Sequence, residues 1–372
     1  MGKGLTGKGL TGKGLTGKEL TGKELTGKGN KTKLSKYPFV SICTPTFNRR
    51  PFIPFMIKCF EHQDYPKDKI EWIIIDDGTD KIEDLIAHIP QVKYFKFDEK
   101  MTIGKKRNLS NEKATGEIIV YMDDDDYYPP NRVSHAVDKL KKSPNALCAG
   151  SSAMFIYFKH INKMFQFGPY GPNHATAATF AFKRELLQKT RFREEASLAE
   201  EKFFLKDYTI PFVQLDSDKS ILVFSHNHNS FDKKELLKQL PNPCVHETNL
   251  SPVHFVKEPE ILKFFMEDID ILLETYEPGK PENKPDVTRE IAAINKMREK
   301  MIEEEIAKQQ QQQIMNYHVM QSKMNEQTYV IQQLTLENSQ LRDKCKYLED
   351  KITKLIQERI QEKKSVLLPN NI

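Results

Sequence analysis

The stretch Ile118–Asn131 reads IIVYMDDDDYYPPN. β-Branched, apolar and aromatic residues run from Ile118 to Met122, with Gly116 before them and charge after them, the pattern of a strand buried on both faces. Asp123–Asp126 then stand at its carboxyl end, where an open α/β sheet places its ligand crevice. Adjacent carboxylates repel: at ~4 Å a close pair costs roughly 1 kcal/mol in water and ~4 kcal/mol at an effective dielectric of about 20. A hard divalent cation removes that penalty, because Mg²⁺ takes one or two protein carboxylates and completes its shell with phosphate oxygens and water. The run therefore predicts a metal site. The competing account is a solvated acidic loop whose last Asp caps a helix beginning near Pro130. An EF-hand calcium loop is excluded, since Tyr128 occupies the position that needs Gly.

Upstream, strand and helix patterns alternate. Phe39–Thr44 (FVSICT) reads as a strand, followed by the turn-rich PTFNRRP and a helical spacing over Pro51–Gln63. Ile70–Ile75 (IEWIII) is a second buried strand, ending in Asp76 and Asp77. A short helix over Ile82–His88, a third strand over Val92–Phe97 and a helix over Ile103–Ala114 complete the series before Ile118. That order predicts a parallel sheet with right-handed crossovers, with Asp76 and Asp123 on one edge of it. Beyond the acidic run, Pro130–Lys142 reads as a helix and Ala146–Phe158 as strand material. A helix is expected over Lys183–Lys189, and strand, turn, strand over Ile210–Asn229.

Composition sets bounds on function. The chain has 372 residues and a formal charge of +5, from 57 basic and 52 acidic side chains, so no global attraction to nucleic acid is implied. Five scattered cysteines without CxxC spacing argue for a reducing compartment and against a zinc site. No run reaches the roughly 20 apolar residues of a membrane span, and the start lacks an apolar leader. A soluble, cytoplasmic chain is expected. Its first part, through Lys36, carries the pentapeptide LTGKG or LTGKE repeated from Leu5 to Gly29; one Leu per repeat fits neither the helix nor the strand period. Residues 1–36 are therefore expected to be a disordered basic tail.

The segments PTFNRR, IIIDDGTD and GKKRNLSNEKATGEIIVYMDDDD, in this order and spacing, resemble a family 2 glycosyltransferase of the GT-A fold. The resemblance covers Phe39 to about Phe231. It implies a Rossmann-like mixed sheet flanked by helices, and an inverting enzyme that uses a nucleotide-diphosphate sugar, UDP foremost, with Mn²⁺ or Mg²⁺. The sequence also looks similar to glycosyltransferases encoded by giant DNA viruses; a viral origin would place the protein in host cytoplasm or virion.

The resemblance assigns roles by position. Pro45, Thr46 and Phe47 match the loop that touches the nucleoside, and Asp76 and Asp77 the pair that accepts from base and ribose. Lys106, Arg107 and Asn108 match the basic box near the diphosphate. Asp123 takes the ribose-facing place and Asp125 the direct metal-ligand place, with Asp124 or Asp126 able to share it. In SLAEEKFF, Glu201 matches the catalytic base where the family usually has Asp, and Glu200 is the alternative. His226 is favoured over His228 as a late metal ligand, the two alternating along an expected strand and so facing opposite sides. Tyr170, Asn173 and His174 match the acceptor-facing region, the acceptor being a glycan, protein or lipid.

The last third differs in character. Glu260–Leu273 reads as an amphipathic helix, Pro-rich 276–286 as a linker that ends a 37–275 catalytic domain, and 287–364 as one long helix before a disordered 365–372. From about residue 331 the helix has heptad order, with Leu334, Leu341, Leu348 and Leu355 at d and Ile331, Asn338, Cys345 and Ile352 at a. Leu at d with one Asn at a selects a parallel two-stranded coiled coil, hence a homodimer. Two classes of function follow: an active glycosyltransferase dimerised by its tail, or a glycosyltransferase-like binding module without activity in a coiled-coil scaffold.

Overall fold

The computed structural model describes residues 35–198 and 200–366, so nearly all of the repeat tail lies outside the described residues. Backbone contacts divide the chain into two units, one ending at Val287 and the other beginning at Thr288.

In the first unit, strands β1 (Val40–Thr46), β2 (Ile70–Asp76), β3 (Val92–Lys96) and β4 (Ile118–Tyr121) lie parallel in the order β3-β2-β1-β4. The short strands β5 (Cys148–Gly150), β8 (Ala181–Lys183) and β9 (Phe212–Gln214) extend that sheet beyond β4, in the order β8-β5-β9 with β8 antiparallel to β4 and to β5. A second sheet orders β10 (Leu222–Ser225), β6 (Met154–Phe158), β7 (Lys163–Phe167) and β11 (Val245–Thr248). The expected mixed sheet is thus present, and the parallel part is as the periodicity predicts.

The apolar runs are strands because both faces are covered. Ile42, Trp72, Ile74, Ile118 and Val120 pack into one core with helices α1 (Ile53–Glu61) and α4 (Arg132–Lys142). Alternate residues Cys43, Ile73, Ile75, Ile119 and Tyr121 form a second core on the other face. On that side lies α3 (Ile103–Lys113), begun by a Thr102 side chain that accepts from the Lys105 amide. The remaining crossover helix, α2, is the short Glu83–Ile86. Fully buried Arg132 donates to the carbonyls of Thr179 (2.7 Å) and Phe180 (3.0 Å), tying α4 to the approach of β8.

Three expectations need correction. Lys183–Lys189 is a 3-10 turn over Arg184–Gln188 rather than an α-helix. The amphipathic segment around residues 260–273 is broken at Phe264–Asp268 by a π-helical turn, which sets Phe264 and Phe265 both into the core. The Pro-rich 276–286 stretch is part of the first unit and packs on the loops after β1 and β2: the Tyr276 hydroxyl donates to Asp80 (2.9 Å), and the Asn48 amide donates to the Pro278 carbonyl (3.0 Å). A Cβ on Gly279 would come within 2.7 Å of the Asn48 carbonyl oxygen, so the chain lies directly on the loop after β1. Proline here fixes a docked path, and the docking partners are too distant in sequence to register in local composition.

The second unit is the body of one helix, Pro285–Val366. Its apolar heptad positions are open, with Leu334 at 53%, Leu341 at 54% and Leu355 at 56% exposure. No helix among the described residues is long and apolar enough to cross a membrane.

Candidate functional site

The order β3-β2-β1-β4 reverses direction between β1 and β4, and the loops leaving those two strands meet at that switch point. From β1 come Pro45, Phe47 and Arg49; from β4 come Asp123, Asp124 and Asp125. Together they line one cleft of about 240 Å³. Its cationic walls are Arg49, Lys100, Lys106, Arg107 and Lys284, and its carboxylates are Asp123, Asp124, Asp125, Glu200 and Asp286. A larger cavity of about 850 Å³ lies against the second sheet, between Tyr157, Met164, Leu262 and Met266, and holds no comparable set of charges.

The acidic loop is shaped by its aromatic neighbours. The Asp123 amide donates to the Tyr128 hydroxyl (2.8 Å), which in turn donates to the Ala178 carbonyl (3.2 Å). Tyr127 forms a bridge with Leu222, N–H to carbonyl in both directions at 3.0 and 2.9 Å. That bridge brings β10 alongside the loop and delivers His226 to it.

Within the loop, Arg49 supplies the counter-charge. Its guanidinium lies 2.9 Å from Asp125 Oδ2 and 3.5 Å from Asp124 Oδ1, and it also donates to the His228 carbonyl at 2.7 Å. Burial raises Asp125, but Arg49 and His226 override it and hold the carboxyl well below its usual range. Asp124 is pushed up to about 7 by burial, with Arg49 opposing and Asp125 adding to the rise. Asp126 is driven well above its usual range by burial and by Asp125, and its Oδ1 is buried without a hydrogen-bond partner. Arg49 carried no signal in the sequence beyond its place in the loop after β1.

A second cluster sits beside the first. Arg107 is buried, donates from Nε to Glu200 Oε1 at 2.8 Å, and spans both oxygens of Asp123 at 3.3 Å. Its guanidinium also covers the Tyr121 ring at 4.6 Å. Burial raises the Asp123 carboxyl, with Arg107 opposing. Lys106 meets Asp77 Oδ1 at 2.8 Å and approaches the Thr46 carbonyl at 3.3 Å. The Phe47 ring has two ammoniums over it, Lys100 at 5.0 Å and Lys106 at 5.8 Å.

Glu200 precedes the four-residue helix α5 (Glu201–Phe204) and lines the cleft; Glu201 heads that helix beside it. Burial, then the Glu200 charge, pushes the Glu201 carboxyl up to about 7.

The structure brings together Pro45, Phe47, Lys106, Arg107, Asp123, Asp124, Asp125 and Glu200, and sets His226 next to Asp125. Glu201, which heads α5 beside Glu200, and Asp76, Asp77, Thr46 and Asn108 are not among the residues lining the cleft. Asp76 is fully buried and its oxygens are taken by the Gly78 amide (2.8 Å), the Tyr94 hydroxyl (2.6 Å) and the Ile82 amide (3.3 Å), so it pins the turn after β2. Asp77 lies beneath the cleft, held by the Met101 amide at 2.5 Å, and orients Lys106. Thr46 is buried in β1. Asn108 turns away and exchanges both hydrogen bonds with the backbone of Phe192 at 2.9 Å. Tyr94, Met101 and Phe192 are distant in sequence from the residues they hold, hence invisible in the local sequence.

His226 and His228 do not alternate along a strand. β10 ends at Ser225, and the two rings sit in the turn that follows, both buried. His226 Nδ1 accepts from the His228 amide (3.2 Å), and its Nε2 lies 3.4 Å from Asp125 Oδ2; His228 Nε2 instead faces the Tyr276 carbonyl at 2.8 Å. Burial pushes His226 down to about 3, so the ring is neutral. Of the acceptor-region residues, Tyr170 and His174 stack edge to face at 5.0 Å, and the Asn173 amide donates to the Tyr208 carbonyl.

Among the described residues no group of three or more His, Cys, Asp or Glu side chains is arranged to hold a metal ion by itself. The donor set nevertheless fits a cation that shares its shell with phosphate oxygens. Asp125 Oδ2 offers an oxygen, and the carboxylate crowding that lifts Asp124 and Asp126 is what a divalent charge relieves; the neutral His226 ring, 3.4 Å away, presents Nε2 to such a cation once its proton shifts to Nδ1 and the hydrogen bond from the His228 amide is released.

Residues 41–195 match the family model described as glycosyl transferase family 2. The chain is similar to the Staphylococcus aureus poly(ribitol-phosphate) beta-N-acetylglucosaminyltransferase TarS, with 29% identity over 23% of this chain and 16% of that protein. It is also similar to the Campylobacter jejuni GalNAc(5)-diNAcBac-PP-undecaprenol beta-1,3-glucosyltransferase, with 26% identity over 54% of this chain and 66% of the relative. The chain thus spans less than two thirds of the length of either relative. Among solved structures, the mannosyltransferase PcManGT from Pyrobaculum calidifontis, in complex with GDP-Man and Mn²⁺, aligns at TM-score 0.43 and 18% identity over 71% of this chain and 76% of that one. The match over 41–195 and the sequence relatives support a glycosyltransferase of family 2.

Proposed function

We propose that the protein is an inverting, metal-dependent glycosyltransferase that moves a sugar from a nucleotide-diphosphate donor, a UDP-sugar foremost, to a hydroxyl of a glycan, protein or lipid. The observation that carries this reading is the switch-point cleft, where Asp123, Asp124 and Asp125 and several cations face one another within about 240 Å³. Phe47 offers a ring for the base beside Pro45. Asp123, held by Arg107, offers a carboxylate to the ribose. Lys106 and Arg107 stand where a diphosphate needs positive charge.

Asp125, Asp124 and His226 would hold Mn²⁺ or Mg²⁺. When bound, that cation neutralises charge on the departing diphosphate as a Lewis acid. Glu201 is the base: a carboxyl with an affinity for protons near neutrality can both exist ionised and accept the acceptor's proton during attack. Glu200 keeps Arg107 in place. Inversion follows from one in-line displacement at the anomeric carbon. The open heptad stripe supports a parallel homodimer through a coiled coil from about residue 331, and the absence of a spanning helix among the described residues accords with action in the cytoplasm.

One observation favours the second reading, a binding module without activity: Arg49 already satisfies Asp125. The experiment that separates them measures nucleotide release from UDP-, GDP- and dTDP-sugars with and without Mn²⁺. Release that requires Mn²⁺ and is lost in Asp125→Ala supports the enzyme. No release from any donor, or release indifferent to Asp125, sinks it.

A further inference from the structure

The matched family region ends at residue 195, yet the cleft has a wall built from residues about ninety positions further on. That wall is the strap 276–287, and it is fastened at several points. Tyr276 holds Asp80 after β2 (2.9 Å), Asn48 after β1 holds the Pro278 carbonyl (3.0 Å), and the Tyr276 carbonyl meets His228 Nε2 (2.8 Å). At its far end Asp286 accepts from Ser197 at 3.1 Å and pairs with Lys100. Between these anchors Lys284 turns inward. Its side chain is buried, with Nζ donating to Ser230 Oγ at 2.9 Å and approaching the His228 carbonyl at 3.5 Å.

We propose that Lys284 is a phosphate-binding residue of the donor site, so that the strap adds a cation from outside the family-matched region to Lys106 and Arg107 at the diphosphate. The inference rests on the glycosyltransferase reading and deepens it. Three features argue for it. Lys284 lines the same cleft as Asp123, Asp124 and Asp125, among carboxylates that hold charge for an incoming metal and nucleotide. Its flexible stem ends in an ammonium tethered to a hydroxyl and a carbonyl, neutral acceptors that a phosphate oxygen can outcompete. Burial and the Arg49 charge also push that ammonium down to about 6, with Asp125 and Asp124 opposing, a cost that an adjacent phosphate dianion reverses.

The test is isothermal titration of the full chain, with Mg²⁺ present, using UDP and GDP against uridine and guanosine. The variants are Lys284→Met, which keeps the stem without the charge, Lys284→Arg, which keeps the charge, and Lys280→Met as a control on the same strap. The expected result is a loss of at least about tenfold in nucleoside-diphosphate affinity for K284M, with nucleoside affinity unchanged, partial recovery in K284R and no effect in K280M. Thermal unfolding of each variant shows whether the fold is retained; should K284M unfold, the comparison of K284R with the unmodified chain carries the test, and nucleoside binding reports the intact pocket. Equal affinity of K284M and the unmodified chain for UDP and GDP, or an equal loss for nucleoside and diphosphate, overturns the proposal while leaving the glycosyltransferase reading intact. Failure of the unmodified chain to bind either diphosphate overturns both.

Discussion

Arg49 and Asp125 face each other at 2.9 Å inside the acidic loop, and the same Asp125 oxygen lies 3.4 Å from His226 Nε2. One carboxylate oxygen is thus shared between a permanent cation and a neutral imidazole. A divalent ion entering here competes with Arg49, and the guanidinium must give up part of its hold on Asp125.

That competition is measurable. Arg49→Gln removes the buried partner of Asp125 and leaves its charge uncompensated, at a cost of about 3–5 kcal/mol in the free chain. Mn²⁺ should restore more stability to this variant than it adds to the unmodified protein, because it no longer displaces a guanidinium. Urea unfolding with and without Mn²⁺ checks both statements; a variant as stable as the parent, or one indifferent to Mn²⁺, contradicts them.

Glu201 and Glu200 should differ in kind when altered. Glu201→Gln is expected to lower kcat by about 10²–10⁴ with little change in KM, the range for loss of a positioned base. In the proposed role Glu201 acts ionised, and its carboxyl is pushed up to about 7, so kcat/KM should rise with pH through that value and level off above it. Glu200→Gln frees Arg107 and should chiefly raise the donor KM. A flat profile across pH 6–8 would transfer the base role elsewhere.

Asn108 offers a contrast between the resemblance and the geometry. Its amide serves the Phe192 backbone, so Asn108→Ala should cost roughly 1–3 kcal/mol of stability, the range for unsatisfied buried polar groups. Nucleotide affinity should be unaffected. A selective loss of UDP binding at unchanged melting temperature would return Asn108 to the donor site.

The helical unit yields a prediction independent of chemistry. Leu341→Lys with Leu348→Lys places charge at two successive d positions and should convert a dimer to a monomer in light scattering. A parent chain that is itself monomeric at tens of micromolar rules out the coiled coil.

The parts legible in sequence were those with local causes. Ile70–Asp76 and Ile118–Tyr121 are strands buried along their whole length, which their dense β-branched and aromatic residues announce. Asp123–Asp125 followed directly, since a strand's end fixes where its next residues stand. What escaped were residues whose partners lie far along the chain. Asp76 finds Tyr94 across the sheet, Asn108 finds Phe192, and Arg49 finds Asp125. His226 is the ring that lies beside the carboxylates, and a turn, rather than strand alternation, separates it from His228. Prolines at 278, 281 and 285 look the same in a free spacer and in a docked strap; only Asn48, Asp80 and His228, waiting elsewhere, decide which.

The strap also sets where the catalytic body can be cut. A protein ended at Thr275, where composition alone invites the scissors, would strip Asn48 and His228 of their covers and open one flank of the nucleotide cleft to bulk water. Such a fragment would keep every family motif and still have an incomplete cleft, whereas one carried through to the first turns of the long helix retains the whole enclosure.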